Sequence, residues 1–99
     1  MPVLSLVTAS ISPERRAEVS EPYREAVGAG LSPGLRQTFL LVGDDDTVAI
    51  ATVWDSREDL DAMLATGEEP FARRVLREAG GDPAVRFFEI AAEGAAAAR

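Results

Sequence analysis

The chain contains no cysteine, no histidine and no lysine, and only one tryptophan and one tyrosine among its 99 residues. Without cysteine there is neither a disulfide framework nor a thiolate metal site. Without histidine it lacks the commonest metal ligand and the commonest general base at neutral pH. Without lysine it cannot form a Schiff base. All ten basic residues are arginine, and they are outnumbered by 17 acidic ones, for a formal charge of −7. That balance argues against a nucleic-acid backbone as partner. No apolar run approaches the roughly 18 residues that span a bilayer. The start, Met1-Pro2-Val3-Leu4-Ser5, shows no basic segment or cleavage pattern of a secretory signal. The expectation is a cytoplasmic protein with no membrane and no nucleic acid among its partners.

What is present reads as one domain over residues 1–93, followed by an Ala-rich tail at 94–99. Apolar residues make up 46%, enough for a packed core. Residues 3–11, VLSLVTASI, predict a first strand. Ser12-Pro13-Glu14 predicts a helix start, with Ser as N-cap and Pro at the first helical position. Val19, Tyr23, Ala26 and Val27 give that helix an apolar stripe. Pro22 lies inside it and predicts a kink or break. Gly28 to Gly30 ends it. Residues 35–42 and 47–54 predict two more strands. Ser56-Arg57-Glu58-Asp59 has the capping-box pattern that opens a second helix. Leu60, Met63 and Leu64 form its inner stripe. Gly67 and Pro70 interrupt it, and Phe71, Val75, Leu76 and Ala79 resume it. A last strand is expected at 85–92.

The order β-α-β-β-α-β is the ferredoxin-like arrangement. It predicts an α+β fold, a four-stranded antiparallel sheet with both helices on one face. The central hairpin tests this. A two-residue turn at Asp44-Asp45, or a four-residue turn over 43–46, pairs Val42 with Thr47. Leu35, Gln37, Phe39 and Leu41 then share a face with Val48, Ile50, Thr52 and Trp54. Arg36, Thr38, Leu40 and Val42 share the other with Thr47, Ala49, Ala51 and Val53. A three- or five-residue loop would slip one strand and exchange its faces. Under either register neither face is polar enough for water, whereas a sheet with one solvated face should alternate. Helices cover one face, and a second copy of the sheet is the simplest cover for the other, ahead of a bound apolar ligand or a different protein chain. A homodimer is therefore expected.

The βαββαβ order, the SPGL turn, the strand end Val53-Trp54-Asp55-Ser56 and the helix start Arg57-Glu58-Asp59-Leu60 carry a family resemblance. Over roughly residues 3–92 the chain resembles the antibiotic biosynthesis monooxygenase superfamily. The resemblance implies a dimeric α/β barrel in which two ferredoxin-like sheets pack together. It also implies either cofactor-free oxygenation of aromatic polyketides or haem degradation. A haem degrader needs a histidine ligand, which this chain lacks. Quinone-forming members place an Asn four residues before the Trp, and here that position is Ile50. A family histidine in the following helix corresponds to Met63, and a histidine that precedes a Phe corresponds to Pro70, before Phe71.

The expected activity is that of an oxidoreductase of secondary metabolism. It would be a monooxygenase acting without metal or organic cofactor on a planar, apolar or aromatic, polyketide-like metabolite. The alternatives are a non-catalytic dimeric module that binds a small molecule or a protein, and a cyclase or isomerase on the same scaffold. Trp54, Arg36, Arg74 and Tyr23 are the candidate hydrogen-bond donors to the reacting oxygen. Arg74 enters because its distance from Trp54 matches an arginine of some family oxygenases. Gln37, Phe39, Ile50, Thr52, Met63 and Phe71 are the candidate substrate-binding residues, with Gln37 and Thr52 facing each other across the hairpin. Each has a plainer reading. Trp54 and Tyr23 also suit core packing, Arg36 suits an exposed strand end beside an acid, and Arg74 suits a solvated helix face. The Asp44-Asp45-Asp46 run lacks the spaced ligands of a calcium loop and reads as a solvated turn.

Overall fold

A computed structural model of the chain describes residues 1–95. The strands are β1 (Val3–Ser10), β2 (Leu35–Val42), β3 (Thr47–Trp54) and β4 (Ala84–Glu89). The helices are α1 (Ala17–Ala29), α2 (Arg57–Leu64) and α3 (Phe71–Glu78). One antiparallel sheet has the order β2-β3-β1-β4, with every neighbouring pair antiparallel. This is the ferredoxin-like arrangement the element order predicts. No helix among the described residues is long and apolar enough to cross a membrane. The end of the Ala-rich tail, 96–99, lies outside the described residues.

Strand alternation decides which side chains meet the helices. Val3, Ser5, Val7 and Ala9 of β1 point to the helices and are buried, while Leu4, Leu6 and Thr8 point to the opposite face. The core joins Val7, Ile11, Val48 and Ile50 to Val19 of α1, to Ala72, Val75 and Leu76 of α3 and to Ala79 at its C-terminal cap. Ala72, Val75, Leu76 and Ala79 recur at i, i+3, i+4 and i+7, one face of a helix, and the charged residues of α3 take the other. Ile50 and Leu76 are fully enclosed, and each contributes about 1.5–3 kcal/mol through burial.

The central hairpin takes the slipped register. Val42 pairs with Val48, Leu40 with Ile50 and Thr38 with Thr52, so the connection runs through five residues, 43–47. The N–H of Gly43 donates to the Thr47 carbonyl at 2.8 Å. The Asp45 carboxylate accepts from the Thr47 N–H, also at 2.8 Å, an Asx turn. An Arg16 guanidinium nitrogen clamps the Asp45 carbonyl at 3.0 Å. The exchange of faces puts Thr38, Leu40 and Val42 on the helix side and Gln37, Phe39 and Leu41 on the far side. A bulge at Arg36 restores Leu35 to its place opposite Trp54.

Two other expectations change. Ser12 makes no side-chain cap bond. A 3-10 turn at Pro13–Arg15 comes first, and α1 starts at Ala17. Nor does Pro22 break α1, which runs through it. Glu18, whose carbonyl loses its donor, is exposed, so water can replace that bond. Ser56 caps α2 as read, with the Asp59 N–H donating to Ser56 Oγ at 3.2 Å and the Ser56 hydroxyl donating in turn to the Asp59 carboxylate at 2.9 Å. Gly34, in the turn before β2, has φ +82°, and a Cβ there would collide with the Asp59 side chain. Its carbonyl accepts from the Asp55 N–H at 2.8 Å. The Pro-Gly turn is thus locked against the start of α2, and Pro33, Asp59 and Leu60 line the cavity described next.

Candidate functional site

Between the helix side of the sheet and the helices lies a cavity of about 760 Å³, within the range of small-molecule sites. Ser5, Val7, Thr52, Trp54, Val85 and Phe87 form its sheet wall, and Leu60, Met63, Phe71 and Ala72 face them from α2 and α3. The segment from Gly30 to Pro33 closes one side, and Glu68, Glu69, Arg73 and Arg74 stand near the mouth.

One row of paired residues crosses the sheet beneath this space. Thr38 of β2 lies opposite Thr52 of β3, Thr52 opposite Ser5 of β1, and Ser5 opposite Phe87 of β4. Ser5 and Thr52 are the only buried polar residues among the described ones. Both are hydrogen-bonded, as buried hydroxyls must be. The Trp54 indole N–H donates to Ser5 Oγ at 3.3 Å. The Tyr23 hydroxyl donates to Thr38 Oγ1 at 3.3 Å, and Thr38 and Thr52 share a bond of 3.2 Å. The floor therefore carries hydroxyls under walls that are mostly apolar and aromatic.

Of the candidate residues, Trp54, Thr52, Met63, Phe71 and Arg74 line the cavity. Trp54 is also core, packed with Val3 and Leu60. Tyr23 stands behind the wall, its ring 6.2 Å from that of Phe71. It reaches the floor only through Thr38. Arg36 is not in the cavity. The bulge turns it outward, where its Nε donates to Asp55 at 2.9 Å and its guanidinium lies 3.9 Å from Glu93. Gln37 and Phe39 are carried to the far face by the slipped register, so Thr38 and not Gln37 faces Thr52. Ile50 is wholly enclosed in the core, covered by α3, and does not line the space. Arg73 and Arg74 both stand at the mouth, about half exposed and loosely paired with Glu69 and Glu78. Glu69 is held below the usual carboxylate range, first by its hydrogen bond from Arg77, so it stays ionised at neutral pH.

Ser5 and Phe87 are the floor and wall residues that sequence reasoning passed over. The signal was present for Ser5, since period-two alternation puts it on the side of Val3 and Val7.

The model of the family described as antibiotic biosynthesis monooxygenase matches residues 2–69. The chain belongs to this family. Solved structures of similar shape include a cofactor-independent oxygenase from Streptomyces nogalater in a point-mutant form. It is 16% identical, with a TM-score of 0.67, over 93% of this chain and 95% of that one. A haem-degrading protein from Mycobacterium tuberculosis is 21% identical, TM-score 0.66, over 96% and 100% of the two chains. A protein of unknown function from Nitrosomonas europaea is 17% identical, TM-score 0.69, over 98% and 96%. At these identities the likeness is one of fold. No curated protein matches the chain in sequence. Within the family fold, the match spans β1 through α2 and so includes Ser5, Thr52, Trp54 and Met63. Phe71, Arg74 and Phe87 lie beyond it.

Proposed function

We propose that the protein is a cofactor-independent monooxygenase of planar aromatic, polyketide-like metabolites and that it works as a homodimer. The observation that carries the reading is the cavity itself, an apolar, aromatic-walled space with hydroxyls gathered on its floor. A flat ring system fits against Trp54, Phe71 and Phe87, and its oxygen would meet the buried hydroxyls of Ser5 and Thr52. In such chemistry the substrate supplies the electrons. Loss of a C–H proton to solvent leaves a carbanion delocalised onto the ring oxygen. The carbanion adds O₂, and the hydroperoxide, once protonated, loses water to leave a new carbonyl. The protein's part is to hold the anion in a dry space with donors aimed at its oxygen.

Assembly is supported by the far face of the sheet. Leu4, Leu6, Phe39, Leu41, Ala49, Ala51, Val53 and Phe88 share it, and Phe39, Leu41 and Phe88 are about 40% exposed or more. A second copy packed there would bury an apolar surface that no helix among the described residues covers.

Oxygen uptake with anthrone and substituted hydroquinones tests the reading. Consumption matched by one new carbonyl per O₂ supports it, and no uptake with any such compound turns the protein into a binding module. One observation favours that second reading. The Trp54 N–H is already engaged by Ser5, so it is not free to meet a substrate directly.

A further inference from the structure

We propose that Ser5 and Thr52 together form the oxyanion-binding donor pair of this cavity, with Trp54 and the Tyr23–Thr38 pair holding their protons in position. The proposal rests on the oxygenase reading and names the groups that would touch the substrate's oxygen.

An indole nitrogen can only donate, whereas a hydroxyl has one proton and two acceptor lone pairs. The Trp54 N–H therefore occupies a lone pair of Ser5 Oγ at 3.3 Å. The Ser5 proton is left without an acceptor among the described residues and free to point into the cavity that Ser5 lines. The second arm has the same logic. Tyr23 donates its proton to Thr38. The 3.2 Å bond between Thr38 and Thr52 admits either donor; in the direction proposed, from Thr38 to Thr52, the Thr52 proton is left for the cavity. Ser5 and Thr52 are directly opposed on neighbouring strands. Paired residues of this kind hold their Cβ atoms about 4.5–5.5 Å apart, close enough for two hydroxyls to converge on one oxygen. Burial strengthens both bonds, because water does not compete for the anion. Rigid strands and upstream donors fix the hydroxyls before any substrate arrives, which is the condition for preorganised stabilisation.

The pair prefers an anionic oxygen over a neutral carbonyl, so it should lower the pKa of a bound phenol. The probe is 2-hydroxyanthraquinone, a planar tricyclic phenol whose ionised form absorbs in the visible. Titration of the bound probe reads the donors without any need for turnover. Wild-type protein is expected to hold the phenol pKa below its value in buffer. Ser5→Ala and Thr52→Val are each expected to raise it by about one unit or more, since a hydrogen bond to a charged group is worth about that much. Thr52→Ser keeps the hydroxyl and should restore the wild-type value, which guards against a Thr52→Val variant that folds poorly. Tyr23→Phe should give a smaller rise, as befits a positioning residue. A bound probe whose pKa is lowered equally in wild type, Ser5→Ala and Thr52→Val overturns the donor pair while leaving the cavity as an aromatic site. Failure of wild type to bind the probe overturns both the pair and the oxygenase reading.

Discussion

The Trp54 indole and the Ser5 hydroxyl meet diagonally across two adjacent strands, N–H to Oγ at 3.3 Å. The only tryptophan in the chain is thus bonded to a buried serine on the cavity floor. Trp54→Phe keeps most of the apolar contact with Val3 and Leu60 and deletes the N–H. Loss of a neutral hydrogen bond costs about 0.5–1.5 kcal/mol, to be read in a denaturant titration. If Trp54 acts through Ser5, turnover should fall by about tenfold at most. Removal of a direct donor to the oxyanion would cost about 10²–10³. Steady-state oxygen uptake of Trp54→Phe and Ser5→Ala, side by side, ranks the two. A larger loss in Trp54→Phe than in Ser5→Ala would make the indole the direct donor.

Gly34 links the turn before β2 to the start of α2. Its φ of +82° disfavours any side chain, and a Cβ would run into the Asp59 carboxylate that completes the helix cap. Gly34→Ala should therefore cost more than the usual glycine exchange, about 1–3 kcal/mol. The melting temperature should fall accordingly. A variant as stable as wild type would show that Asp59 moves aside freely and that the cap contributes little.

The limits of β2 and β3 were legible to the residue, because both are runs of apolar and β-branched residues bounded by turn formers. Their register was not. It depends on Asp45 folding back onto the Thr47 N–H and on Arg16 holding the turn, contacts that hydrophobic alternation does not encode. One slipped residue moved Gln37 and Phe39 out of the candidate site and set Thr38 against Thr52 of its floor. The bulge at Arg36 was equally hidden, and it turned a candidate donor into an exposed ion pair with Asp55. The apolar excess on both faces was legible because it survives either register. Trp54, Thr52, Met63 and Phe71 do line the cavity, the last two read through resemblance. Ser5 was readable by alternation alone, but a lone serine in a strand carries little signal until its partners Thr52 and Trp54 are seen.

Acid should weaken the hairpin in a way that one substitution removes. The Asp45 carboxylate is held below the usual aspartate range, first by the Thr47 backbone N–H and then by the Thr47 side chain. A group whose folded pKa lies below its unfolded one contributes fully above the unfolded value and loses that contribution as pH falls through the folded value. The window thus lies below about pH 4. Asp45→Asn keeps an oxygen for the Thr47 N–H and removes the titration. Urea midpoints between about pH 6 and pH 2 should fall less steeply for Asp45→Asn than for wild type. Some slope should persist from Glu69, lowered by Arg77, and Glu18, lowered by Arg15. Identical slopes would mean that the Asx turn does not discriminate between the charged and neutral acid.

The far face of the sheet sets the last expectation. Phe39 sits there opposite Ala51, with Leu6 and Leu41 as neighbours on the same face, and is 42% exposed in the single chain. An exposed apolar sheet face of this kind invites association, and about 800 Å² buried per partner is usual for a stable pair. Light scattering at micromolar concentration should give about twice the 10.5 kDa chain mass. Phe39→Asp places a charge in the middle of that face, where burying it unpaired is costly. Because Phe39 contributes nothing to the core beneath the helices, the variant should remain folded by circular dichroism while its mass falls to that of one chain. Its cavity lies on the other side of the sheet, so probe binding per chain should persist. A folded Phe39→Asp variant that still runs at twice the chain mass would place the interface elsewhere. A monomeric wild type would leave the apolar face to be covered by a different protein.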